Sequence, residues 1–422
     1  MLTTLASVAS LLLSYGLLLL GNGLFTTLLG VRTKLEGFPT EMVGAIVAGY
    51  FVGFLLGALF TVRVIAGVGH IRAFAAFASV MSVSALIPVL WIDPLVWLVT
   101  RLVAGYSMAG MITVTESWLN ERADNETRGR VFSFYMITNF LAAGCGQLLL
   151  PLADPGEFQL FSVASIVFSL ALVPVLLTRA TSPTPVTPQP VRLGQIYRTS
   201  PLGLAGAMSA GLVNATFYGL GPVFAHGIGL STTYISLFMA SAIMGGLVFQ
   251  WPVGRLSDRL DRRRVLTMAA ALTALACTAI VMVATAPVSK WLFAASVLYG
   301  GFSFTIYSVS AAHANDFSPP DRLVQTTSGL LIAYGVGASC GPLLAAAVMG
   351  RVGPPGLFVF SAAVNVALAL FAVGRMFSGR IPARAERTRF QALPAGHLTS
   401  QELYTALKDA RDRDIARLSG HF

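Results

Sequence analysis

Asp, Glu, Lys and Arg are absent from long, regularly spaced stretches of this chain: residues 1–31, 42–62, 73–92, 131–153, 158–178, 199–254, 265–289, 291–315, 323–350 and 352–374. A helix of ~20 apolar residues crosses the ~30 Å hydrocarbon core of a bilayer, so each run predicts a span. The 199–254 run is long enough for two helices, with a break expected near Pro222 and at Ala225-His226-Gly227-Ile228-Gly229. Residues 94–118, interrupted only by Arg101 and Glu116, supply one more. The pattern predicts an all-α membrane protein with twelve transmembrane helices.

Composition agrees, with 55% hydrophobic and 11% charged residues and a mean hydropathy of +0.74, too little charge for a soluble domain's surface. The first apolar stretch lacks the basic leader of a signal peptide and eleven further spans follow, so it reads as an uncleaved first helix. Cys145, Cys277 and Cys340 each fall inside an apolar run. They show no metal or disulfide spacing, and buried packing is expected of them. No metal and no cofactor is expected.

Lys and Arg concentrate on loops that stay on the cytoplasmic side. With both termini cytoplasmic, the inside loops carry fourteen basic residues, five of them Arg255, Arg259, Arg262, Arg263 and Arg264. The outside loops carry only Arg32, Lys34, Lys290 and Arg351. The net charge of +10 is therefore a topology feature, and its scatter over many loops argues against nucleic acid as a partner. A multi-pass protein of a bacterial inner membrane, both termini cytoplasmic, is the expectation.

A Pro-rich stretch at 180–190 falls between the sixth and seventh spans and reads as an extended tether. It divides the chain into an N-terminal six-helix bundle (1–180), a cytoplasmic linker (181–197), a C-terminal six-helix bundle (198–376) and a basic cytoplasmic tail (377–422) with an amphipathic helix. The halves echo one another. Asn22 and Phe25 in the first span match Asn214 and Phe217 in the seventh, and Arg130 lies sixteen residues before Gly146 as Gln325 does before Gly341. Duplicated halves suit alternating access around a midplane site. Small residues such as Gly144, Gly146, Gly335, Gly337 and Gly341 let helices approach closely.

Between the eighth and ninth spans stands Gly254-Arg255-Leu256-Ser257-Asp258-Arg259-Leu260-Asp261-Arg262-Arg263. This resembles the signature loop of the major facilitator superfamily, Gly-x-Leu-Ala/Ser-Asp-Arg/Lys-x-Gly-Arg/Lys-Arg/Lys, with Asp261 at the second Gly. The resemblance implies two pseudo-symmetric six-helix bundles, secondary transport, a working monomer, and a cytoplasmic latch built from Gly254, Asp258, Arg259, Arg262 and Arg263. The equivalent N-half stretch, Arg63 to Arg72, lacks the Asp, so the C-half copy is expected to carry more of the gating. Glu116-Ser117-x-Leu119, Arg128-Gly129-Arg130, Gly146-Gln147-Leu148-Leu149 and Gln250-Trp251-Pro252 resemble the YcaD-like bacterial branch of that family, which lends no substrate.

Glu116 is the one acidic residue clearly within a span, and an intramembrane carboxylate costs ~3 kcal/mol on insertion scales, so it faces a cavity or a partner. Two roles stay open: a proton-coupling group, or a counterion for Arg128 or Arg130 on the loop between the fourth and fifth helices. Arg101, in Arg101-Leu102-Val103-Ala104-Gly105, resembles the family's fourth-helix motif, which ties an Arg to coupling; a structural Arg capping carbonyls is the alternative. Fifteen residues separate Arg101 from Glu116, ~22 Å along a helix, so the two cannot touch. Asn22, Tyr106, Asn139, Asn214, Tyr218, Tyr299 and Tyr334 lie at mid-membrane depth and are candidates to line a substrate cavity suited to a neutral or amphipathic solute. No phosphate-cradling Gly-x-x-x-x-Gly-Lys-Ser/Thr loop appears, which excludes primary transport by this chain alone. A membrane enzyme would need clustered His, Asp or Glu beside Glu116. The expected activity is secondary transport, efflux and uptake both open, not enzymatic, with the bilayer, a small-molecule substrate and protons as partners; a non-transporting membrane enzyme or sensor is the alternative of a different class.

Overall fold

The computed structural model describes residues 2–122, 128–177, 193–284, 290–319 and 322–377. The predicted tail and most of the Pro-rich linker lie outside the described residues. The N-terminal half comprises α1 (Leu2–Leu35), α2 (Thr40–Val68), α3 (His70–Leu90), α4 (Pro94–Arg122), α5 (Arg128–Gln147), α6 (Gln159–Leu170) and α7 (Leu172–Leu176). A short α8 (Leu193–Thr199), where the linker was expected to end, precedes α9 (Pro201–Gly227), α10 (Thr232–Arg259), α11 (Arg262–Val283), α12 (Lys290–Phe317), α13 (Leu323–Val352) and α14 (Gly356–Met376). Helices α6 and α7 form one apolar span, interrupted where Pro174 cannot donate to the Leu170 carbonyl.

Eleven helical segments among the described residues are long and apolar enough to cross a bilayer. Helix α9 occupies the position of the remaining span without being one of the eleven. Its Gly, Asn, Thr and Tyr content lowers its hydropathy, yet residues from Leu202 to Ala225 are largely buried. Protein on most sides, rather than lipid, solvates it, so it needs less apolar character. It also runs unbroken through Pro222, contrary to the expected break. The chain turns after Gly227, within the break expected at Ala225–Gly229, where Gly229 takes a φ of +82°, a left-handed conformation that glycine enters without strain.

Helices in lipid gain no hydrophobic drive from contacting one another, so close backbone approach at small residues decides the packing. The same two pairings occur in each half. Gly53 of α2 faces the Leu102 carbonyl of α4 and Gly105 of α4 faces the Tyr50 carbonyl; α10 and α12 repeat this with Gly245 on Val297 and Gly300 on Ala242. Gly146 of α5 faces the Leu20 carbonyl of α1, as Gly337 and Gly341 of α13 face Met208 and Leu212 of α9. Thr27 of α1 donates to the Gln147 side-chain oxygen beside the first of these. The bundle's outside carries apolar side chains such as Leu90, Leu95, Val99, Leu275 and Leu370, a surface suited to lipid rather than water. Cys277 is buried as expected, but Cys145 and Cys340 are exposed, each on a helix flank rather than a packing seam.

The halves meet through α2 with α13, α5 with α10, and α1 with α9. Named contacts across this seam are Gly44 with Pro342 and Ala346, Gly30 with Gly219 and Pro222, Gly219 with Val47, Gly350 with Glu41, Gly144 with Met244, and Gly246 with Phe140. The first four lie in the leaflet away from the Arg255–Arg264 turn, and the last two are nearer the middle of the spans. That leaflet is called the far end below, and the end bearing the arginine turn the basic end.

Candidate functional site

Three polar clusters occupy the bundle. The first is set by the α2–α4 crossing. Because Gly53 and Gly105 have no side chain, α2 and α4 touch backbone to backbone, and this places the Arg101 guanidinium over the Tyr50 ring, 4.1 Å from its centroid. Phe25 of α1 flanks it at 5.4 Å. The Tyr50 hydroxyl points to the Asn22 side-chain oxygen at 3.4 Å, a long and weak bond. Arg101 is 3% exposed, and its Nη1 is buried with no hydrogen-bond partner. Cation–π contact offsets part of the desolvation, about 2 kcal/mol in a dry site, against a larger cost of burying the charge.

The second cluster lies farther along α4. Glu116 is fully buried and accepts a 2.6 Å hydrogen bond from the Tyr135 hydroxyl of α5. Tyr135 stacks on Tyr15 of α1, centroids 4.6 Å apart, and Tyr15 donates at 2.7 Å to Asn139, one turn beyond Tyr135 on the same face of α5. Next to Glu116, Ser117 meets the His70 Nε2 at 3.1 Å, and the His70 ring lies 6.0 Å from Trp118. A carboxyl, two phenols and an amide thus link α1, α4 and α5, with an imidazole from α3 alongside. His70 and both tyrosines were missed in the sequence. His70 occupies the N-half position equivalent to Asp261, and that equivalence could have singled it out.

The third is the arginine turn, which is mostly helix: α10 runs to Arg259 and α11 starts at Arg262. Asp261, the departure from the expected glycine, is the N-cap of α11, accepting from the Arg263 N–H at 3.0 Å. Its carboxylate also holds the Arg263 guanidinium, Oδ2 to Nη2 2.9 Å. Burial raises the Asp261 pKa, but the side-chain and backbone hydrogen bonds from Arg263 and the charges of Arg263 and His313 together hold it below the usual value. Arg263 also donates at 3.1 Å to the Arg375 carbonyl at the end of α14. Arg262 pairs with Asp316 of α12 at 3.3 Å and with Asp258 at 3.5 Å. The turn therefore binds α10, α11, α12 and α14 to one another.

Of the expected latch residues, Asp258, Arg262 and Arg263 are brought together, joined by Asp261 and Asp316. Gly254 is buried in α10, while Arg259 is exposed and in no ion pair among the described residues. The side chains of Arg128 and Arg130 lie outside the described residues. The candidate cavity residues are spread among separate partners: Asn22 with Tyr50, Asn139 with Tyr15, Asn214 accepting from Ser303 at 2.9 Å, Tyr106 against Phe77, Tyr218 stacked on Phe304, Tyr299 against Phe217 and Tyr334 against Tyr307.

Residues 11–250 and 202–414 match the Major Facilitator Superfamily profile. The chain belongs to that superfamily. It is 31% identical over 335 residues to an uncharacterized MFS-type transporter, YcaD, of Escherichia coli O17:K52:H18, covering 78% of this chain and 85% of the relative. Among solved structures of the superfamily's fold, the nucleoside transporter NupG superposes with a TM-score of 0.75 at 13% identity, covering 90% of this chain and all of NupG. A D-xylose–proton symporter superposes with a TM-score of 0.66 at 13% identity, over 92% and 99% of the two chains. Both likenesses support the fold of two six-helix halves. The YcaD relative supports membership of a multi-pass bacterial transporter family.

Proposed function

We propose that this superfamily member is a secondary active transporter that moves a small, amphipathic solute across the bacterial inner membrane by alternating access. The observation that carries the reading is the seam between the halves, whose named backbone-close contacts gather toward the far end. Two rigid bodies touching at one end can rock to touch at the other around a site between them. The arginine turn at the basic end suits this, because its ion pairs lie within the C-terminal half and move with it as a unit. Both termini are assigned to the cytoplasm on the distribution of Lys and Arg, which makes the far end periplasmic and the structure the state closed to the outside. The working unit is a monomer of two bundles, 1–180 and 198–376.

Coupling is assigned to protons through Glu116. A carboxyl fully buried in a membrane helix exchanges protons only as its surroundings change, and the Tyr135 hydroxyl can donate to its ionised form and accept from its neutral form. The test is untargeted mass spectrometry of cells and spent medium for strains with no protein, this protein and its Glu116→Gln form. Compounds moved by the active form alone establish transport and give its direction. Loss of gradient-driven movement in Glu116→Gln supports proton coupling, and unchanged movement rejects it. Three coincident profiles would contradict transport in that medium.

A further inference from the structure

Arg101 carries a permanent charge where the described residues supply it no anion. Among the described residues its neighbours are the Tyr50 and Phe25 rings, and Nη1 has no hydrogen-bond partner despite being buried. Three acidic groups on the same side of the bundle have other neighbours. Asp93 caps α4 by accepting from the Leu95 and Val96 N–H groups at 2.9 and 3.0 Å. Glu36 pairs with Arg32 at 2.5 Å, and Glu41 lies against Gly350 of α13. Glu116 is ~22 Å away along α4. A carbonyl-capping role leaves Nη1 unexplained, because a cap would fill it.

An arginine needed only for packing would be replaced at little cost by an apolar side chain of similar size, since a buried, unpaired charge is the more expensive choice. A planar fork of donors held between two aromatic faces is matched by a carboxylate, which accepts two parallel N–H bonds. Asn22, one turn before Phe25 on α1, directs its side-chain oxygen to the same Tyr50, which leaves its amide N–H groups as further donors. A site made of donors with an apolar wall recognises an anionic head on an apolar body.

We infer that Arg101, with Asn22 as a further donor, is the receptor for a carboxylate carried by the transported solute. The solute's charge pairs with the Arg101 guanidinium, and the Phe25 and Tyr50 rings cover its apolar part. This deepens the transport reading above and rests on it. Arg101 acts as a binding residue, apart from the proton carried at Glu116.

The test compares the full chain with Arg101→Lys and Arg101→Met. Each is expressed to equal membrane level, and the spent medium is profiled by untargeted mass spectrometry. Each purified form is also melted in detergent without solute. Compounds moved by the unmodified protein should bear a carboxylate. Arg101→Lys, keeping the charge but losing the fork, should cut their flux at least ~10-fold, as expected for loss of a bidentate contact, and Arg101→Met should abolish it. The solute-free melting midpoint should rise in Arg101→Met, because an uncompensated charge has been removed. A lowered midpoint would make Arg101 structural and overturn the inference. Transported compounds without an anionic group, or undiminished flux in Arg101→Met, would overturn it too while leaving transport standing. No compound moved by the unmodified protein would reject the transport reading, and this inference with it.

Discussion

Replacing Gly44 with alanine should open the far end. A Cβ at Gly44 would stand 2.8 Å from the Pro342 carbonyl oxygen and closer still to the Ala346 side chain, where ordinary contact begins near ~3.4 Å. Neither neighbour is a flexible chain end, so α2 and α13 must part by at least ~0.6 Å, the shortfall at the Pro342 carbonyl alone, with Ala346 demanding more. Overpacking of this kind costs about 1–3 kcal/mol. The gain in helix propensity from Gly to Ala, up to ~1 kcal/mol, applies in every conformation and cancels. The cost falls only on the state in which α2 and α13 touch, so the balance shifts by about 5- to 150-fold toward the state open at the far end. The assay uses a chain with its three cysteines removed and Val47→Cys introduced, since Val47 is 8% exposed against Gly219 in the closed seam. Labelling by a membrane-impermeant maleimide should accelerate at least ~5-fold in Gly44→Ala. Gly67→Ala, whose added Cβ meets nothing within 4 Å, should leave the rate unchanged. Equal rates in all three proteins, with melting midpoints unchanged, would refute the argument.

Tyr135→Phe deprives Glu116 of its phenol partner and should lower stability by about 0.5–3 kcal/mol, the range from a neutral to a charged hydrogen-bond partner, read from chemical denaturation in detergent. Arg262→Ala removes the ion pair to Asp316, whose side chain is 4% exposed, and should cost about 3–5 kcal/mol; Arg262→Met with Asp316→Asn should recover most of it, since that pair's charges are then gone from both sides. Asp261 has a lowered folded pKa, so its stabilising contribution is complete above the unfolded carboxylate value of about 4 and is lost as pH falls through the folded value. Asp261→Asn keeps the α11 cap and should flatten the melting midpoint's dependence on pH between about 5 and 3. Asp261→Ala should cost ~1 kcal/mol more by removing the cap.

The spans were legible because charge spacing is dictated by the bilayer, which admits few charges wherever the chain crosses. Helix α9 shows the limit of that rule: packed by protein, its residues answer to neighbouring helices rather than to lipid, and Pro222 does not end it. The motif turn was legible as a motif, but its geometry was not. Asp261 reads as a defect against the family pattern and proves to be a cap and an arginine clamp, while Arg259, which fits the pattern, is solvent-exposed. Glu116 stood out as an intramembrane carboxylate, yet its partner Tyr135 is on another helix and could be any phenol in the apolar sequence. Tyr50 was hidden in the same way. Its position over Arg101 follows from Gly53 and Gly105, whose role is a property of the crossing and not of either helix alone.

Alternating closure of the two ends is the central claim, and electron–electron double resonance on the full chain in nanodiscs addresses it directly. One spin-label pair joins the exposed positions Leu35 and Ser231 at the far end, and another joins Val68 and Arg322 at the basic end. The account predicts two distances for each pair. When Glu116→Gln or a change of pH lengthens the far-end distance, the basic-end distance should shorten. A far-end distance that stays single and fixed in every condition would contradict alternating access.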